Sequence, residues 1–357
     1  MTNDFYITSQ TQLNSLIELI HRQKVMALDT EFTRQTTYYP ILSIIQVAIK
    51  IDSRKQIFII DCLSELDLRE FFALIPNPQI TKILHSSSQD LQIFHLGSGV
   101  MPQGIIDTQI MANFCGFGFN VGYSNLVKKI FGKELDKDQQ RSNWQRRPLS
   151  KKQIEYALLD VEFLHEIHEE FFEILKSQQR QHWFAQEMQK FIEKSLNKSE
   201  ENLLKNFSFR RKNLVQKSQL RKLVLWRENL AQKTNLLRQY FLSDEEIDGI
   251  IDSGFIDAKN HPRLTKQMIS EINQILADQE GDFDFSPVLP LNEREKRKCE
   301  KAKELVEEIS QKENFSAQFL LTSFDLKKII CQKDPLEKVL NGWRYELLAP
   351  HLKEIIF

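Results

Sequence analysis

Residues 25–32, Val-Met-Ala-Leu-Asp-Thr-Glu-Phe, constrain this chain more than any other stretch. The run is short and apolar apart from its acidic tripeptide, the pattern of a strand buried on both faces. Residues two apart on a strand point the same way, so Asp29 and Glu31 put two carboxylates on one face. At about 7 Å apart along a buried strand, two like charges repel and lose hydration. A divalent cation is the simplest compensation, because hard cations prefer carboxylate oxygens. The bland alternative is an acidic pair facing solvent at a strand end, and the tripeptide alone does not exclude it.

The flanking sequence supplies partners for that pair. Further strands are expected at 42–49, 56–61, 80–84 and 104–107, the first two joined as a hairpin by the polar turn Asp52-Ser-Arg-Lys. Helices are expected at 9–22, 66–74, 85–96, 108–115 and 123–131. Residues 135–148 are polar, basic in their second half and without periodicity, and read as a loop. Ser150 opens one long helix, with Gln153 completing a capping box and a buried stripe from Ile154 through Ala157, Leu158, Val161 and Leu164 to Ile167. Asp90 lies one turn into the helix that follows His85-Ser-Ser-Ser-Gln. Tyr156 and Asp160 are four apart, which stacks them on one helical face beside the stripe. If Asp29, Glu31, Asp90 and Asp160 converge, they repel strongly. Two divalent ions roughly 3.5–4 Å apart would offset this and suit in-line phosphoryl displacement. Spacing alone leaves that convergence open.

Composition narrows the class. With 357 residues the chain has room for two or three domains. A formal net charge of −1 gives no global signature of nucleic-acid binding, so any such signal is local. Ten basic residues between 205 and 238, among them Lys205, Arg210, Arg211, Lys212, Lys217 and Lys233, stand against the single acid Glu228. Arg141 and Trp144 combine charge with a stacking surface in the 135–148 loop, as single-stranded nucleic acid favours. Four scattered cysteines without a CxxC pair argue against a zinc site and fit a reducing compartment. There is no apolar run long enough for a membrane span and no signal-peptide pattern at the start, so a cytoplasmic protein without a membrane is expected. Asp61 and Asp107 read as cap or turn acids, and His85 as a hydrogen-bonded structural residue. His165 and His168 read as solvent-facing, and Trp226 and Trp343 as core. Beyond about residue 200 the composition turns helical, with a linker at 281–292 between two helical units.

These residues resemble a known family. Asp-x-Glu on the first strand, His85-x4-Asp-Leu, and Tyr156-Ala-x-x-Asp160 on a late helix look like the three exonuclease motifs of the DEDD superfamily, tyrosine subtype. Around them Leu28-Asp-Thr-Glu-Phe, Tyr38-Tyr-Pro, Ile45-Gln-Val-Ala, Asp107-Thr-Gln, Leu135-Asp-Lys, Gln140-Arg-Ser-Asn-Trp and Arg147-Pro-Leu-Ser resemble the bacterial ribonuclease D family over residues 1–175. More weakly, Leu223-Val-Leu-Trp-Arg-Glu-x-Leu-Ala, Phe241-Leu-Ser-Asp and Trp343-Arg-x-Glu-Leu resemble helicase-and-RNase-D C-terminal domains. The resemblance implies an α/β ribonuclease-H-like mixed sheet in an exonuclease domain (1–200), followed by two all-α domains (205–280 and 291–357). It implies 3′→5′ hydrolysis of RNA with a free 3′ end, such as tRNA precursors, releasing mononucleotides, with no obligate protein partner evident. By the motif match Asp29, Glu31 and Asp160 would hold one of two divalent ions (Mg²⁺ or Mn²⁺). Asp29 and Asp90 would serve the other, and Tyr156 would orient the attacking water. The nearest alternative is a DNA exonuclease of the same fold; a non-catalytic RNA-binding protein is the alternative of another class.

Overall fold

The structure is a computed structural model that describes residues 5–52, 54–197, 200–209, 211–281, 291–331 and 334–356. Arg210 and most of the expected 281–292 linker lie outside the described residues.

Six strands form one sheet: β1 (Tyr6–Ile7), β2 (Val25–Thr33), β3 (Ile41–Ile51), β4 (Arg54–Asp61), β5 (Thr81–Leu84) and β6 (Ile105–Asp107), in the order β1-β4-β3-β2-β5-β6. β3 and β4 form the expected antiparallel hairpin, in register from Ile44↔Asp61 to Ile51↔Arg54. β1 runs parallel to β4, β2 to β5, and β5 to β6, so the sheet is mixed. The two-residue β1 is too short to leave a periodic signal. β2, with its acidic tripeptide, lies inside the sheet between β3 and β5.

Among the described residues up to 197 there are eight helices. They are α1 (Gln10–Gln23), α2 (Arg69–Ala73), α3 (Ser88–Ser98), α4 (Thr108–Phe114), α5 (Tyr123–Phe131), α6 (Lys151–Glu162), α7 (Leu164–Ser177) and α8 (Gln181–Leu196). Strand parity sorts the packing. Met26 and Leu28 of β2 join a core that includes Leu13 and Ile20 of α1 and Leu91 and Phe94 of α3. Ala27 packs with Ala48, Ile83, Val161 and Leu164, so α6 and the start of α7 cover the opposite face. Asp29 and Glu31 share Ala27's parity and therefore leave the strand towards α6. Ser150 and Gln153 make the expected capping box that starts α6. The single long helix expected from Ser150 is instead two, divided at Phe163.

The chain divides into two compact units. The second contains Arg34–Ile41 and the described residues between 197 and 281. Its helices are α9 (Glu200–Leu204), α10 (Leu214–Thr234), α11 (Arg238–Phe241), α12 (Asp244–Ser253) and α13 (Lys266–Ala277). Leu220, Leu223, Val224, Ile247, Ile251 and Ile272 form its core. Tyr38, from the segment between β2 and β3, is part of this core. Its hydroxyl donates to the buried carboxylate of Glu228, which Arg238 also holds, and accepts from Gln232 Nε2 at 3.1 Å. Half of the basic cluster is spent inside this unit. Lys212, Arg221, Lys222, Arg227 and Arg238 pair with Asp248 and Asp252, Glu200, Asp278, Asp244 and Glu228. Half of the local excess of charge in the sequence is therefore answered by acids within the unit.

The last helices, α14 (Glu293–Glu313), α15 (Ala317–Leu320), α16 (Ser323–Cys331), α17 (Leu336–Leu340) and α18 (Trp343–Ile356), fold with the first unit. Trp343 stacks on Trp183 with ring centroids 5.3 Å apart, and Phe319 meets Phe114 edge-on at 5.0 Å. Arg180 bonds Glu313 at 3.0 Å, and Arg344 grips Glu187 through two nitrogens. The segment expected as a separate domain at 291–357 thus shares one hydrophobic core with the sheet.

Replacing Tyr38 with Phe removes a hydroxyl from a buried carboxylate. A hydrogen bond to a charged group contributes about 1.5–3 kcal/mol, so Tyr38→Phe should lower the urea-unfolding stability of the second unit by that amount. An unchanged denaturation midpoint would show that Arg238 and Gln232 alone satisfy Glu228.

Candidate active site

Asp160 lies in the last turn of α6, above the end of β2. One carboxylate oxygen from each of Asp29, Glu31 and Asp160 lies within 4.8 Å of the others. The spacing Asp-x-Glu on a strand and Tyr-x3-Asp on the covering helix is what brings them together. Asp90, in the first turn of α3, is not in this tight group but lines the same cleft of about 480 Å³. It is anchored by Thr30, whose hydroxyl donates to Asp90 Oδ1. Thr30 has the parity of Met26 and Leu28 and so faces α3, which is how one tripeptide serves acids from two layers.

Burial pushes all four acids upward, and repulsion from the other acids adds to it at Asp29 and Glu31. Asp29 rises well above the usual carboxylate range because it is buried and faces Asp160, Asp90 and Glu31. The same causes take Glu31 to about 9. Burial lifts Asp160 to about 7 against the hydrogen bond that Tyr156 donates to it, and lifts Asp90 to about 6 against the bond from Thr30. Tyr156 is raised by burial and by the charge of Asp160, so its phenol stays protonated and keeps a proton to donate to Asp160. A carboxylate cluster this close and this desolvated fits divalent cations, which take oxygen ligands and restore the ionised forms.

The break between α6 and α7 has a visible cause. Tyr123 Oη donates to the Leu159 carbonyl at 3.0 Å and accepts from the Phe163 amide at 3.1 Å. A phenol thus stands inside what would be the 163→159 rung of a continuous helix, and an inserted side chain ends the ladder. The wedge brackets Asp160, whose residue lies between the two backbone groups, and Tyr123 itself lines the cleft. The sequence carried this tyrosine only as the start of a helix.

The 135–148 loop is arranged differently from expectation. Trp144 is 1% exposed and packs with Ile44, Ile59, Leu149 and Ala157, so it offers no face to a base. Its ring lies 6.0 Å from that of Tyr156, which makes it a support for the tyrosine. Arg147 grips Asp61 through two hydrogen bonds of 2.7 Å, and Tyr6 adds a third at 2.8 Å. Arg141 is exposed and outside the residues lining the cleft; the loop reaches the cleft through Leu135, Asp136, Lys137 and Gln140 instead. Asp107 caps α4 and also accepts from the Ser86 and Ser87 amides. His85 lines the cleft with its ring nitrogens 2.9 Å from Thr108 Oγ1 and 3.0 Å from the Val121 carbonyl. His165 is buried, not solvent-facing, with Nε2 at 2.9 Å from the Ala48 carbonyl, and His168 is half-buried. Trp226 is only half-buried and donates to Glu271, whereas Trp343 is fully buried.

Known proteins resemble this chain in sequence and fold. The sequence model of the 3′-5′ exonuclease family matches residues 5–176. Ribonuclease D of Bartonella henselae is 32% identical over 98% of this chain and 89% of its own length. Ribonuclease D of Granulibacter bethesdensis is 29% identical over 96% and 90%. The crystal structure of Escherichia coli RNase D, an exoribonuclease involved in structured RNA processing, superposes with a TM-score of 0.82 at 25% identity, covering 98% of this chain and 97% of that one. Fold and site together define a metal-dependent 3′-5′ exonuclease with a ribonuclease-H-like sheet and helical segments after it. Within that class the chain belongs to the ribonuclease D family and is a 3′-5′ exoribonuclease.

Two outcomes follow from this geometry. Unfolded carboxyls titrate near pH 4, roughly. The folded, cation-free cluster therefore keeps protons that the unfolded chain has lost, up to the value of about 9 for Glu31. Stability of the cation-free protein should fall as pH rises through that window, and the stabilisation given by Mg²⁺, which must displace those protons, should grow with pH. Thermal unfolding at about pH 6 and about pH 8.5, with and without Mg²⁺, reads both trends; a Mg²⁺ shift independent of pH would contradict them. Tyr123→Phe leaves the Leu159 carbonyl and Phe163 amide to re-pair or stand open, and a displacement of Asp160 by about 1 Å would cost about a hundredfold in kcat. Steady-state kinetics should show the loss in kcat with KM little changed; an unchanged kcat, with or without a KM effect, would assign Tyr123 no part in holding Asp160.

Proposed function

We propose that Asp29, Glu31, Asp90 and Asp160 hold two divalent cations, Mg²⁺ or Mn²⁺, and that the chain trims the 3′ ends of tRNA precursors and other small structured RNAs to release nucleoside 5′-monophosphates. The observation that carries the reading is the three-carboxylate group with oxygens inside 4.8 Å, in a cleft that also contains Asp90 and Tyr156. Divalent cations supply acidified water and neutralise charge on the leaving oxygen. This chain's residues do the rest. Asp29, Glu31 and Asp160 fix cation positions from two rigid elements, a central strand and a capped helix. Tyr156, kept protonated and propped by Trp144, donates towards Asp160 and can orient the nucleophilic water. Lys137 reaches the cleft from the loop and offers a phosphate contact. In the second unit Lys205, Arg211 and Lys233 are exposed and can add sequence-independent, salt-dependent affinity. Arg141, exposed on the loop, is kept as a backbone contact outside the cleft. All four cysteines are free, as suits the cytoplasm, and among the described residues no helix is long and apolar enough to cross a membrane.

The test is hydrolysis of 5′-labelled single-stranded RNA with Mg²⁺ or Mn²⁺, beside matched DNA. Wild type should give a ladder shortening from the 3′ end, and Asp29→Asn should slow it by roughly 10²–10³-fold, the scale of losing one preorganised electrostatic group. RNA bound but left intact with either metal would overturn the catalytic assignment, and preference for DNA would overturn the substrate, since only the 2′-hydroxyl distinguishes them.

A further inference from the structure

A second cleft of about 430 Å³ lies between α4, α8 and the last helical segment. It adjoins the catalytic cleft, because Gln109 lines both. Gln109 is the second residue of α4, and its side-chain amide donates to the Val121 carbonyl at 3.1 Å, which fixes it at the waist between the two spaces. The lining combines two chemistries. Phe119 and Phe191 present half-buried rings, and Lys190 and Lys194 bring cations from α8. Glu187 pairs with Arg344 and also faces Lys190, whose Nζ donates to the Asn341 carbonyl at 3.3 Å, and Asp325 accepts from the Thr322 hydroxyl. Lys190 and Lys194 are four apart, so they share a helical face and stand about 6 Å apart along the axis. That is the order of the spacing between successive phosphates of an extended strand. Cations that track a backbone beside aromatic faces that stack on bases form a seat for a single strand without sequence preference.

We propose that this cleft seats the nucleotides immediately upstream of the scissile bond of a single-stranded RNA, with Lys190 and Lys194 on successive phosphates and Gln109 at the passage between the two spaces. The inference rests on the reading of Asp29, Glu31, Asp90 and Asp160 as the catalytic centre. It makes KM depend on substrate length: an RNA too short to pass Gln109 does not reach the lysines.

The experiment compares a trinucleotide and a dodecanucleotide RNA as substrates of the full chain. The variants are Lys190→Ala/Lys194→Ala and Lys301→Ala/Lys303→Ala, the latter an exposed pair on α14 outside both clefts. Two single-strand phosphate contacts release about 1.4 counterions, a factor of roughly ten in affinity near 0.15 M salt. KM for the dodecamer should therefore rise about tenfold in the first variant, the slope of log affinity against log salt should fall by about 1.4, and the trimer should be affected far less. The α14 pair should behave as wild type on both. Equal effects of the α8 pair on both lengths, or none on either, would overturn the path while leaving the catalytic centre standing. Wild type that cleaves neither RNA would instead overturn the centre.

Discussion

Asp29, Glu31 and Asp160 hold their carboxylate oxygens inside 4.8 Å, and the repulsion among them has to be borne by the surrounding fold. Each acid is fixed by something that cannot easily give way. β2 is flanked by β3 and β5, and its neighbours Ala27 and Leu28 are fully buried. α6 is pinned at its start by the Ser150–Gln153 box and at its end by the Tyr123 hydroxyl. Trp144 backs Tyr156, and the Arg147–Asp61 pair ties the loop carrying Trp144 to the end of β4. A loop-borne cluster would relax apart; a strand and a helix locked at both ends cannot, and a cation meets a preformed site.

The same strand links the two units of the chain. β2 ends at Thr33, two residues past Glu31, and the next residues, Arg34–Ile41, fold with the second unit up to the first residue of β3. Tyr38 is the anchor of that excursion, buried with its hydroxyl on Glu228. The final helices are no appendage either, since Trp343 and Phe319 lie in the core cluster that also contains Met26 and Leu28. Their removal would strip the aromatic cover from Phe114 on α4 and expose a face built to be buried.

Legibility in the sequence followed the range of the physics involved. Strand parity and helical spacing are local, and they placed Asp29, Glu31, Tyr156 and Asp160 on facing elements. The hairpin and the α6 capping box were equally local. What escaped notice depends on distant partners. Tyr123 divides a helix forty residues away, and nothing in the apolar stripe from Ile154 to Ile167 registers that break. Trp144 looked like a stacking platform because its loop is polar, yet Ile44 and Ile59 of the sheet enclose it. His165 reads as polar on a helix, but the Ala48 carbonyl gives it a buried partner. The basic run at 205–238 reads as a nucleic-acid face because five acids that answer it, Glu200, Asp244, Asp248, Asp252 and Asp278, all lie outside that window.

The cleft also restricts where a proton can go during hydrolysis. Tyr156 is held well above neutrality and is a donor throughout. His85, the imidazole lining the cleft, has its pKa lowered by burial, and its Nε2 faces the Val121 carbonyl, so that nitrogen carries the proton and has no lone pair to offer. The carboxylates are basic only while no cation is near them, because a divalent charge favours their ionised form and draws down their proton affinity. A divalent cation held by Asp29, Glu31 and Asp160 would therefore leave no carboxylate basic enough to take the proton. A centre built in this way can use hydroxide only if water is acidified before it attacks, and a protonated phenol beside Asp160 is suited to fixing the direction of that attack rather than taking a proton from it.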